Sequence, residues 1–217
     1  MKLLQGNKNY MIVFLLALLG AAPVLAEPEM FSSGRIGKPY WYAGAGKFNP
    51  DGNAQLGDQE GKFDLLVGGG YRASANFSWE LDLLLGHQNV DTPASIVPSI
   101  FGTVDPRSSL DTTGVAGTVK YVYPLGRLEP YAGGGIGIYT VRFRATGQQF
   151  GFPGELTRDA TTLGLHLVAG ADFYVTDSTA LGIELRKVRV RANLGDVIPG
   201  EIDAGGSCIS LLLRSAI

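Results

Sequence analysis

From residue 39 to residue 217, apolar residues alternate with polar or small residues at a period of two. Successive side chains of a β-strand point to opposite faces, so this period predicts strands rather than helices. The alternation falls into eight separable segments, and the chain is therefore predicted to be all-β. The segments are Tyr40–Phe48, Phe63–Arg72, Ser78–Gln88, Thr112–Tyr123, Pro130–Arg144, Thr161–Val175, Thr179–Arg191 and Gly206–Arg214.

The connections between these segments alternate in length. Three are short, at Ala73–Phe77, Pro124–Glu129 and Thr176–Ser178. Four are long, at Asn49–Lys62, Asn89–Asp111, Ala145–Ala160 and Ala192–Gly205. Short turns at one end and long loops at the other are typical of outer-membrane β-barrels, whereas a soluble sandwich has no reason to sort its loops in this way.

Each segment has one apolar face and one face of small or charged residues. In the sixth segment, for example, Leu163, Leu165 and Leu167 share a face, and Gly164 and His166 lie on the other. A soluble barrel could show the same alternation with its apolar face turned inward. The alternation therefore leaves a membrane barrel and a soluble barrel as alternatives.

The aromatic residues favour the membrane barrel. Six of them are assigned to the apolar face next to the short turns, where they would form one girdle at a membrane interface. A soluble core would not collect its aromatic residues at one rim. The predicted girdle consists of Tyr71, Trp79, Tyr121, Tyr123, Tyr131 and Phe173.

The N-terminus resembles an export signal. Lys2 and Lys8 precede an apolar run at Met11–Gly20, and small residues lead up to Ala26. The run is shorter than the roughly 20 residues of a spanning helix, so a cleaved signal peptide is favoured over an uncleaved anchor. The predicted domains are a signal peptide at 1–26, a periplasmic N-terminal segment at 27–38 and the barrel at 39–217.

Composition narrows the class of partner. The formal net charge is -2, and this mild acidity argues against a nucleic-acid partner. The single cysteine, Cys208, cannot form an intramolecular disulfide.

Three segments carry a resemblance to a known family: LEPYAGGGIGIYTVRF (Leu128–Phe143), Leu163–Arg186 and Gly205–Arg214. The chain resembles the small outer-membrane β-barrel family that includes the transmembrane domain of outer membrane protein A and the opacity-type surface proteins. The resemblance implies a closed antiparallel eight-stranded transmembrane β-barrel, integral to the outer membrane, with both termini in the periplasm. Barrels of this family usually end in an aromatic residue that the assembly machinery recognises, whereas this chain ends in Ile217.

The face opposite the apolar one is predicted to line the lumen. A lumen of eight strands is only wide enough for its side chains, so charges inside it must pair. Two interpretations follow: a salt-bridge plug that closes the lumen, or a narrow polar pore with rearranging ion pairs. The residues assigned to this network are Asp64, Arg72, Glu80, Asp82, Lys120, Arg142, Arg144, His166, Asp172, Glu184, Arg186 and Arg214.

Two histidines and a basic strip are the other candidates. His166 is either a satisfied interior histidine or a proton-sensitive gate. His87 precedes Asp91, Ser95, Ser99 and Ser108, which would suit a lipid A-modifying enzyme only if a serine lies within hydrogen-bond reach. Outward-facing cations are predicted either to contact lipopolysaccharide phosphates or to form a solvated strand end, namely Lys187, Arg189 and Arg191.

The expected role is structural or surface interaction, with four long extracellular loops. The alternatives are a narrow passive channel and a lipid A-modifying enzyme. We expect no cofactor and no metal site. The expected partners are outer-membrane lipid and lipopolysaccharide, the outer-membrane assembly machinery, and an extracellular ligand bound through the loops. We expect the protein to be a monomer.

Overall fold

The structure is a computed structural model that describes residues 33–51, 59–90, 107–149, 152–195 and 201–217. The predicted signal peptide lies outside these residues. A single 3-10 turn at Ser33–Arg35 precedes the first strand. Among the described residues, no helix is long and apolar enough to cross a membrane.

Nine antiparallel strands follow among the described residues, and eight of them close into a ring. β1 pairs with both β2 and β9, and β6 pairs with β7. Along the middle of the strands, the sheet is therefore closed and has no free edge. The predicted closed antiparallel eight-stranded barrel is confirmed. The strands are Pro39–Pro50 (β1), Gln59–Arg72 (β2), Phe77–Val90 (β3), Arg107–Val122 (β4), Leu128–Gln149 (β5), Phe152–Tyr174 (β6), Thr179–Asn193 (β7), Glu201–Asp203 (β8) and Gly206–Ala216 (β9).

The two ends of the barrel differ. At the turn end, residues 73–76, 123–127 and 175–178 join the strands. At the opposite end, called the loop end here, the strands run further than predicted. β5 and β6 pair as far as Gln149 and Phe152, so most of the predicted connection Ala145–Ala160 is in fact a paired hairpin. The sequence analysis also missed β8, which pairs with the end of β7.

The ring splits into two parts at the loop end. The pairing of β1 with β2 ends at Gly46 and Asp64, although β1 continues along β9 to Pro50. The pairing of β6 with β7 ends at Gly164 and Val190, although β6 continues along β5. The sheet β2–β6 therefore separates from β7, β9 and β1 at the loop end, and β5 and β6 extend furthest beyond the closed ring.

The outward face of the ring is apolar, as a membrane barrel requires. Leu163 and Leu211 are 74 % and 71 % exposed, and Val67 and Leu81 are more than half exposed. A soluble barrel would turn such residues inward, because water does not favour a continuous apolar belt. The outward apolar face therefore answers the question that the alternation alone left open.

Five of the six aromatic residues predicted for the girdle lie on this outward face near the turn end. Trp79, Tyr121 and Phe173 are each at least half exposed, Tyr123 is 44 % exposed, and Tyr71 packs against Trp79 with ring centroids 5.9 Å apart. Tyr131 is the exception: it is 5 % exposed and lies in the lumen.

The error at Tyr131 comes from an inverted phase along β5. Ile136 and Ile138 face outward, while Tyr139, Val141 and Phe143 are buried inside. The sequence analysis placed Tyr131 outside and Arg142 and Arg144 inside, which is the opposite phase. Hydrophobicity does not separate the two faces here, since both carry apolar side chains.

The lumen is filled in two layers. The layer nearer the turn end is polar and charged. The layer at the loop end is an apolar cluster that includes Tyr139, Val141, Phe143, Val190 and Ile202, all at most 1 % exposed. β8 contributes Ile202 to this cluster and thereby helps to close the loop end.

Glycines on the lumen face of β5 make room for this filling. A Cβ added to Gly135 would collide with the carbonyl oxygen of Gly117 and lie 2.7 Å from Cε1 of His166. We expect Gly135→Ala to destabilise the barrel by about 1 to 3 kcal/mol, because the close-packed interior must shift. The measurement is the denaturant midpoint of unfolding in lipid vesicles.

Gly117→Ala is the matched control. An added Cβ at Gly117 has nothing within 4 Å, so the change should stay within about 0.5 kcal/mol. Equal effects of the two substitutions would contradict a tightly filled lumen beside Gly135.

Candidate functional site

Lys120 is the centre of the charged layer in the lumen. Its Nζ lies 2.7 Å from Glu80 and 2.8 Å from Glu184, and all three side chains are at most 3 % exposed. The period-two pattern of β3, β4 and β7 turns these residues inward while Trp79 and Ile183 face out. Each of these three charges thus has an opposite charge in contact, which offsets its loss of hydration.

Two arginines extend the network across the lumen. Arg186 contacts Asp82 at 2.8 Å and Glu184 at 2.9 Å. Arg214, from the last strand, contacts Glu80 at 2.6 Å and Asp172 at 3.0 Å. The guanidinium groups of Arg186 and Arg214 therefore connect carboxylates from β3, β6 and β7.

Tyrosines complete the hydrogen bonds of these carboxylates. The Tyr131 hydroxyl donates to Glu184 at 2.9 Å, and the Tyr40 hydroxyl donates to Glu80 at 2.8 Å. The Lys120 ammonium also lies 4.2 Å from the centre of the Tyr131 ring. Sequence analysis missed both tyrosines as members of the network, because it treated Tyr131 as lipid-facing and gave Tyr40 no role.

His166 and Asp64 lie in the lumen but contact other groups. His166 makes hydrogen bonds to Thr118 at 2.8 Å and Tyr139 at 3.4 Å, between the charged and apolar layers. Asp64 accepts a hydrogen bond from the Cys208 thiol at 3.0 Å. Neither residue forms an ion pair with another described residue.

A second charged cluster closes the turn end. The Arg35 guanidinium lies 2.6 Å from Glu129 and 3.6 Å from the centre of the Tyr174 ring. Arg72 contacts the same carboxylate at 3.1 Å and donates to the backbone carbonyls of the 73–76 turn. The segment before β1 is thereby held beneath the barrel, a contact that sequence analysis did not predict.

Little space remains between the two charged clusters. A cavity near the turn end, bordered by Arg35, Glu80 and Arg214, has about 30 Å³ for water. One water needs about 10 to 15 Å³, so the cavity holds about two or three waters. The apolar cluster occupies the loop end of the lumen beside β3, β4, β5 and β7.

Two of the residues predicted for the lumen lie outside it. Arg142 and Arg144 are exposed on the outer face of β5. They follow Ile136 and Ile138 at even positions, so the inverted phase of this strand explains both errors. The structure places the other ten predicted lumen residues inside, all buried.

The outward candidates are placed as follows. Arg189 and Arg191 are exposed, and Lys187 is half-buried and pairs with Asp51. His87 faces outward, pairs with Asp111 through Nδ1 and stacks on Phe63. Ser108 is buried on the opposite, inner face, whereas Asp91, Ser95 and Ser99 lie outside the described residues.

In the described part of the chain, no three His, Cys, Asp or Glu side chains lie close enough together to bind a metal ion.

Comparison with known proteins agrees with this architecture. The family model for the outer membrane protein β-barrel domain matches residues 12–208. The crystal structure of Neisserial surface protein A is similar, with a TM-score of 0.50, 18 % identity and coverage of 82 % of this chain and 97 % of that chain. The outer membrane protein OprG from Pseudomonas aeruginosa has a TM-score of 0.57, 11 % identity and coverage of 84 % and 97 %. No curated protein sequence matches the chain.

The network makes a quantitative prediction about Lys120. Lys120→Gln leaves Glu80 and Glu184 with one cation fewer, so it should destabilise the barrel by about 3 to 5 kcal/mol. The free energy of unfolding in vesicles is the measurement.

Arg144→Gln provides the comparison. The Arg144–Glu155 pair is 3.4 Å long and both side chains are about half exposed. Such a pair contributes at most about 1 kcal/mol. Similar losses in the two variants would mean that the lumen network contributes no more than a surface ion pair.

Proposed function

Because this chain belongs to the family of outer membrane protein β-barrel domains and is an integral outer-membrane protein, we propose that it acts as a sealed barrel with a structural or surface-interaction role. The observation that carries this proposal is the filled lumen. The Lys120 network and the apolar cluster around Phe143 place two buried layers of contacting side chains inside the described part of the barrel.

The same filling separates this proposal from a narrow passive channel. An ion crossing the lumen would have to break contacts of 2.6 to 2.8 Å among Lys120, Glu80 and Arg214, and then displace the apolar cluster. Breaking buried pairs costs several kcal/mol, and an apolar layer offers an ion no ligands. A conducting state would need both layers to rearrange together.

Surface interaction is supported by the β5–β6 hairpin that extends beyond the closed ring. The hairpin continues for more than ten residue pairs past the last pairing of β6 with β7. Side chains such as Thr157, Arg158 and Asp159 are exposed there. Binding residues are commonly presented on extensions of a rigid scaffold, and a ring closed within one chain supports a monomer.

Conductance tests the sealed lumen. The purified full chain, reconstituted in planar bilayers, should give no unitary current steps above the detergent-only baseline. The folded fraction is checked in the same preparation by the heat-dependent gel mobility of β-barrels. Regular steps whose size scales with salt concentration would contradict the proposal and favour the channel.

Cysteine labelling tests whether the loop end faces outward. Thr157→Cys, on the exposed hairpin, should react on intact cells with a maleimide that does not cross membranes. Ala73→Cys, in an exposed turn at the other end, should react only after the outer membrane is permeabilised. Cys208 is buried and provides a low background. The reverse labelling pattern would overturn the proposed orientation.

A further inference from the structure

Charged residues on the outer face at the loop end fall into two sectors. In the first, on β4, β5 and β6, cations face acids. Arg142 lies opposite Asp111 on one side and Asp159 on the other, and Arg144 contacts Glu155. This neutralised sector has its counter-charges within the protein.

The second sector, on β7, β9 and β1, is basic. Lys47 on β1 lies opposite Ile209, and Arg189 on β7 lies opposite Leu165. Both cations are exposed, and neither forms an ion pair with a described residue. Lys187 lies between them in the same sector but is already engaged by Asp51 and Ser207.

Arg191, unlike Arg189, lies directly opposite an acid. Its cross-strand partner is Asp203 on β8, so an acid is available on the neighbouring strand. The basic strip predicted from sequence thus contains two residues next to acids and one without. Lys47, which sequence analysis did not single out, joins Arg189 as the second cation without a protein counter-ion.

Each of these two cations has an apolar, exposed cross-strand neighbour. Leu165 is 62 % exposed and Ile209 is 55 % exposed, so the cations stand at the border of the lipid-facing belt. An anion that satisfies them must sit against an apolar surface. Phosphate on an amphiphile meets this condition, because its acyl chains cover the belt while its oxygens accept hydrogen bonds from guanidinium and ammonium groups.

We propose that Lys47 and Arg189 form a phosphate-binding site for the lipopolysaccharide of the outer leaflet, whose acyl chains pack on Leu165 and Ile209. β1 and β7 are separated by β9, which is about 10 Å across the sheet. Leu185 shares the row of Lys47 and Ile209, and Arg189 lies four residues further along β7, so the two cations are about 16 Å apart at their Cα atoms. Both side chains are long enough to bring their charged groups closer together. A disaccharide headgroup with more than one phosphate can span this distance. The site does not depend on whether the lumen conducts.

The test compares two double variants of the full chain in detergent. K47Q/R189Q removes the unpaired cations, and R142Q/R144Q removes the same number of cations from the neutralised sector. Each protein is titrated at low salt with fluorescent lipopolysaccharide, with its dephosphorylated form and with phosphatidylglycerol. Gel mobility confirms that each variant is folded.

We expect K47Q/R189Q to bind lipopolysaccharide at least fivefold more weakly than the unmodified chain, and R142Q/R144Q to remain within twofold. Dephosphorylated lipopolysaccharide should lose at least fivefold in affinity for the unmodified chain. Equal losses in the two variants would overturn the proposal, since net charge alone would then explain binding. Retained affinity for the dephosphorylated form, or equal affinity for phosphatidylglycerol, would also overturn it.

Discussion

The interior of this protein depends on one geometric constraint: a ring of eight strands encloses a lumen only as wide as its own side chains. A charge placed there loses its water and has to be neutralised by another side chain. Lys120 does this between Glu80 and Glu184, and Arg214 reaches Glu80 from the last strand. A slip of one residue in any of these strands would turn its charges toward lipid, so the same contacts that neutralise the charges also define the register.

Where this contrast between charged interior and apolar exterior is strong, the faces could be predicted from sequence. β3 alternates Trp79 and Leu81 with Glu80 and Asp82, and the structure places them outside and inside as expected. Along β5 the contrast disappears, because Ile136 faces lipid while residues such as Phe143 face the apolar layer of the lumen. The errors at Tyr131, Arg142 and Arg144 all follow from this loss of contrast.

Other features depend on which strands lie side by side, and a pattern of faces carries no such information. Arg35 and Glu129 are far apart in sequence and meet only because the segment before β1 folds beneath the barrel. The end of the β5–β6 hairpin, residues 145–160, is predicted as a connection from the sequence. Its strands are held there by backbone pairing, for example of Ala145 with Leu156.

The extension of β5 and β6 beyond the closed ring explains why the two outer charge sectors differ. Arg142 lies opposite Asp159, beyond the last pairing of β6 with β7 at Gly164, and so stands on the part of β5 that extends beyond the ring. Polar groups there can meet water, and acids of the same sheet can neutralise the cations. Arg189 instead lies opposite Leu165, within the closed ring and beside the apolar belt. A cation in that position needs a counter-ion, and the phosphate of a lipid headgroup beside the apolar belt can supply it.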